Sequence, residues 1–117
     1  MSSSGPQPPT QIGRRGVVAL AVALAVDQIP NVARSRILTN ATMYPGGRVD
    51  GIVLATESVT VHVIVDYAEY GRSLPIVGNR VLAAARDALK TVDDKRTVVV
   101  RIDELAPIHP ASGNEAK

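Results

Sequence analysis

The 117-residue chain has no cysteine, no tryptophan and no phenylalanine, and only three tyrosines. Without cysteine there are no disulfides, no thiolate metal sites and no cysteine nucleophile. With aromatics at 3%, a stacking platform for single-stranded bases lacks its material. Charge of one sign is also scarce. Lys and Arg total 13 against 11 Asp and Glu, a formal net charge of +2, and no basic stripe accompanies that excess. The length suits one small domain. Hydrophobic residues reach 45%, enough for a modest core. Val, Ala, Leu and Ile must do the packing, which favours strands and small-residue helices.

Residues 1–12 are Ser- and Pro-rich without apolar period and read as a disordered leader, and residues 106–117 as a disordered tail. The folded unit is expected over 13–105. Its first feature is the apolar run Val17 to Val26, shorter than the roughly 20 residues a bilayer span requires. Two readings compete for it. Arg14-Arg15 ahead of the run and Ala23-Leu24-Ala25 at its end mimic a secretory signal, twin-arginine type included, cleaved near Ala25. The other reading is a buried helix that ends near Gln28, because Pro30 biases Ile29 away from helix.

Pro45-Gly46-Gly47 is a turn signal, and Arg48 to Ala55 reads as a first main strand, weakened by Gly51. Ser58 to Tyr67 is the clearest strand: Val59, Val61, Val63 and Val65 alternate with Thr60, His62, Ile64 and Asp66. The valine face should meet helices and leave His62 on the more open face. Ser73 to Val92 reads as a helix, capped near Ser73 and Pro75. Val77, Val81, Ala84, Ala88 and Val92 form its inner stripe. Thr97 to Leu105 is the last strand. Helix-strand-strand-helix-strand predicts an α+β two-layer sandwich: a three-stranded or slightly larger sheet, antiparallel or mixed, with both helices on one face.

Each chemical candidate meets a plainer alternative. His62 and His109 lack a carboxylate at ligand spacing, so no metal site is expected, and His62 reads as an exposed strand residue. Ser73 has no neighbouring base and suits a cap. Asp66 with Glu69, or Asp93 with Asp94, could pair as carboxylates but read as solvated. Gly46-Gly47-Arg48 lacks a phosphate-binding fingerprint. Arg72, Arg80, Arg86 and Lys90 could form a basic face, which Asp87 interrupts.

Val61-His62-Val63-Ile64-Val65-Asp66-Tyr67, followed by Glu69-Tyr70-Gly71-Arg72-Ser73-Leu74-Pro75, resembles the alkaline shock protein family, the envelope stress response proteins of Gram-positive bacteria. There an alternating valine strand runs into a Tyr-Gly-x-Ser-(Ile/Leu)-Pro turn, a helix and a last valine strand. Gly16-Val17-Val18 and Ile29-Pro30-Asn31-Val32 are similar to that family's Gly-Val-Val opening and Val-Pro-Gly-Val motif, with Asn31 where the family has glycine. The resemblance implies a non-enzymatic, self-associating scaffold without cofactor. It also implies a cytoplasmic location, peripheral at the inner face of the membrane through a separate membrane-anchor protein. The expected contact surface is the open sheet face at His62 and Ile64 plus the turn residues Tyr70, Gly71, Arg72, Ser73 and Pro75. Two alternatives stand beside it: a small nucleic-acid-binding module, and a secreted protein cleaved near Ala25.

Overall fold

The computed structural model describes residues 8–66 and 74–108 of the chain, with side chains from Gly13 onward. The elements are α1 (Pro8–Asp27), β1 (Val32–Arg34), β2 (Ala41–Tyr44), β3 (Gly47–Asp50), β4 (Ile52–Leu54), β5 (Ser58–Val65), α2 (Leu74–Thr91) and β6 (Thr97–Leu105).

β5 organises the sheet. Its valines alternate with half-buried residues along the whole strand, as a pleated ribbon with one covered face requires. Val59, Val61, Val63 and Val65 are fully buried, each contributing about 1.5–3 kcal/mol. Val18, Val22 and Val26 of α1 and Val77, Val81, Ala85 and Leu89 of α2 complete one core with them. The helices pack on each other and on the valine face of the sheet. The architecture is α+β, with a mostly antiparallel four-stranded sheet and a separate two-stranded hairpin.

One edge of β5 pairs with β6 in parallel, and α2 makes the crossover between them. The other edge is shared end to end. β1 runs antiparallel to Val63–Val65, and β4 runs antiparallel to Val59–Val61. At the joint, His62 N donates to Gly51 O at 2.7 Å and Ser35 N donates to His62 O at 2.8 Å. The β5 backbone therefore keeps both partners at the junction of two short strands.

The expected strand Arg48 to Ala55 is two strands, β3 and β4, because Gly51 turns the chain at φ 80°. A side chain there would meet Arg34 Cβ at 2.8 Å, His62 O at 3.0 Å and Ser35 N at 3.1 Å, so only glycine fits the joint. β3 pairs with β2 through a hairpin closed by Tyr44 and Gly47, where Pro45 precedes Gly46 at φ 93°. That dihedral pattern belongs to a type II turn.

α1 starts at Pro8, inside the segment 1–12 read as an unstructured leader, and breaks at Gly13 (φ 72°). Asn31, at the glycine position of the resemblance, has φ 65°, a left-handed conformation that asparagine tolerates better than most residues. On α2 the buried stripe runs through Ala85 and Leu89, whereas Ala84 is half-buried and Ala88 and Val92 lie at the margin. The helix ends in a Schellman motif: Asp93 (φ 58°) sends its N–H to Lys90 O at 3.1 Å, and Asp94 N donates to Leu89 O at 2.8 Å. Arg14 of α1 reaches across to Val92 O at 2.7 Å and Asp93 O at 2.9 Å, supplying positive charge where the helix dipole is negative.

Candidate functional site

The face of the sheet turned away from the helices carries a polar cluster that a β-bulge creates. His62 lies level with Arg101 in the β5–β6 ladder and Val63 level with Ile102, but Ile64 faces Glu104. Asp103 is the extra residue of the bulge, and its carboxylate lies beside the imidazole, with Oδ1 and Oδ2 at 3.1 and 3.2 Å from His62 Nδ1. A carboxylate can only accept, so Nδ1–H is the donor and the ring orientation is set by Asp103. Asn40 Nδ2 donates to Asp103 Oδ2 at 3.1 Å. The two ionisable side chains are only 12% and 14% exposed. His62, read as an exposed strand residue, is thus covered and paired.

Thr39, Thr60, Val53, Ile37 and Arg101 complete a shallow basin of about 600 Å³ around this cluster. Among the described residues no hydroxyl hydrogen-bonds His62. The visible effect of the pair is to tie β6 to β5 and to the loop before β2. Among the described residues, no group of three or more His, Asp or Glu side chains is placed to hold a metal ion.

The other expected site residues fall elsewhere. Ile64 is half-buried on the His62 face, opposite Ala33 of β1. Pro75 is exposed in the first turn of α2, on the helix side of the sheet. Pro75 thus lies on the other side of the sheet from His62 and Ile64. Tyr67, Glu69, Tyr70, Gly71, Arg72, Ser73 and His109 lie outside the described residues. Asp66 is buried, and its Oδ2 accepts from Ile108 N at 3.3 Å. Asp94, read as solvated, binds Arg96 at 2.6 Å and Arg14 at 3.4 Å. Arg34 is held by Asp27 at 2.9 Å, and Arg48 lies 2.8 Å from Asp50, so acids on the same surface offset these cations. Gly46-Gly47 forms the β2–β3 turn.

The two long edges of the sheet differ. The β4 edge is closed by a side chain: buried Thr42 donates from Oγ1 to Ile52 O at 2.6 Å and accepts from Leu54 N at 3.2 Å. One hydroxyl thereby does what a neighbouring strand would do. Farther along, Arg96 Nε donates to Ala55 O at 2.8 Å, and beside β1, Arg34 Nη1 donates to Asp50 O at 2.8 Å. The β6 edge has no strand beside it among the described residues. Thr97 N donates inward to Glu57 O at 3.0 Å. A parallel ladder uses both backbone groups of every second residue, so those of Val98, Val100 and Ile102 point to the open side. Their side chains line an apolar groove of about 420 Å³ with Leu82 and Pro75 of α2.

No family model, no curated protein and no solved structure matches the chain.

Proposed function

We propose that the chain is a non-enzymatic, self-associating scaffold of the envelope stress type. In this reading it acts at the cytoplasmic face of the cell membrane through a separate membrane-anchor protein. The observation that carries self-association is the β6 edge, which has no strand beside it among the described residues and borders an apolar groove, since an edge of that kind invites pairing. The anchor is part of the reading because no helix among the described residues is long and apolar enough to cross a membrane. The His62–Asp103–Asn40 cluster fits a structural role, since the Asp103 carboxylate is held by His62 of β5 and by Asn40 of the loop before β2.

Two observations weigh against the alternatives. Val18, Ala19, Val22 and Ala23 sit in the core, and cleavage near Ala25 would strip one wall from it. The exposed cations Arg86 and Lys90 flank Asp87 on α2, a mixed face that gives little phosphate attraction.

Gentle fractionation of source cells with cross-linking tests the proposal. The chain should sediment in part with membranes and cross-link to itself and to a membrane protein. A soluble monomer without membrane partner would overturn it.

A further inference from the structure

We infer that a second copy of this chain docks on the β6 edge, antiparallel and centred on Val100, joining the two sheets. The inference rests on the self-association reading and specifies its geometry. Three features support this arrangement, the first of them its register. First, the outward backbone groups belong to Val98, Val100 and Ile102, and the bulge at Asp103 ends the regular edge directly after them. A two-fold axis at Val100 is the arrangement that pairs all three, Val98 with the second copy's Ile102 and Val100 with itself. Other registers leave outward groups of this short stretch unpaired in a partly buried edge, which is unfavourable.

Second, the strand is charged oppositely at its two ends. Lys95 precedes it and Glu104 lies near its end, while Arg96 and Asp103 are held within the chain by Asp94 and His62. Lys95 and Glu104 are both exposed. Antiparallel pairing sets the basic end of one copy against the acidic end of the other, whereas parallel pairing sets like against like. Third, an edge-to-edge two-fold runs perpendicular to the sheet, so both helix layers fall on the same side. The two apolar grooves then merge over the joined strands, with Leu82 and Pro75 of each copy as walls. On the opposite face Val99, which is 44% exposed, gains a neighbour in the second copy's Arg101. The surface is small, so the dimer is weak and concentration-dependent.

The test uses the full chain, which has no native cysteine. Sedimentation velocity should show a dimer that grows with concentration. Val100→Pro removes an outward N–H and no inward one, so it should weaken the dimer by at least about tenfold, about 1.4 kcal/mol. Its circular dichroism should stay near that of the parent. Spin labels on Val99→Cys and Thr97→Cys give a readout independent of the proline. With the axis at Val100, the position-99 backbones lie about 8 Å apart and the position-97 backbones about 20 Å apart. A dimer with equal distances at both positions, or one in which the folded Val100→Pro chain dimerises unchanged, overturns this geometry and leaves self-association standing. A monomer at every concentration overturns both. Dimerisation that appears only after residues 109–117 are removed would give the edge to the chain's own tail instead.

Discussion

The two edges of the β5-centred sheet solve the same physical problem differently. Along β4, Thr42 satisfies the outer backbone groups of Ile52 and Leu54 with a single hydroxyl. Nearby, Gly51 lets the chain turn away without losing its bond to His62. Along β6 the ladder is regular from Thr97 to Ile102, and among the described residues no side chain is bonded across its outer edge. Unpaired edges invite pairing, and proteins commonly blunt them with charge, bulges or cover. Here the bulge stands near the end of the strand and Arg101 lies on the face away from the helices, so among the described residues the outward backbone groups of Val98, Val100 and Ile102 have no partner strand. The small sheet thus has one edge sealed by side chains and, among the described residues, one edge left open.

Substitutions can break that distinction, and Gly51→Ala should have the largest effect. A methyl group would stand 2.8 Å from Arg34 Cβ at a left-handed φ, so a loss of about 3 kcal/mol is expected. Urea unfolding with an unchanged slope would measure it; a near-neutral result would mean that the β1–β4 joint is not held tightly. Thr42→Val preserves shape but strands two buried backbone groups. Its expected cost is about 2 kcal/mol, read from the shift in thermal midpoint. On the other edge Arg101→Gln alters an exposed side chain of β6 and should change monomer stability by no more than about 0.5 kcal/mol. If it cost as much as Thr42→Val in dilute solution, the two edges would not differ in the way described.

Much of this architecture is legible in the residues. The strict valine alternation of β5 announces a strand with one buried face, and Thr97 to Leu105 is the last strand at the expected bounds. The small-residue runs of α1 and α2 read as helices because periodicity is a local property. The polar cluster was not legible. Alternation places His62 and Asp103 on outward faces, yet they meet only because β6 runs parallel to β5 with one residue bulged out. Asn40 joins them from a loop that carries no strong local pattern. Thr42 was equally hidden, since a threonine in a short strand looks the same whether it faces water or caps a neighbour. The inner stripe of α2 shifted toward Ala85 and Leu89 because the direction of helix contact is set by the whole core.

The sequence by itself determined the two helices, the strands β5 and β6 and the valine-rich character of the core, because those follow from side-chain period and from the absence of larger apolar residues; the short strands β1 and β2 and the division of Arg48–Ala55 into β3 and β4 did not show in it. It also determined that Pro45-Gly46 would turn and that Gly51 would weaken a strand. Only the tertiary structure decided which strands lie beside β5, where His62 finds its carboxylate, and which margin of the sheet is closed. Those outcomes depend on backbone groups that every residue carries alike. Their partners are chosen by how the whole chain packs, and side-chain pattern does not encode that choice locally.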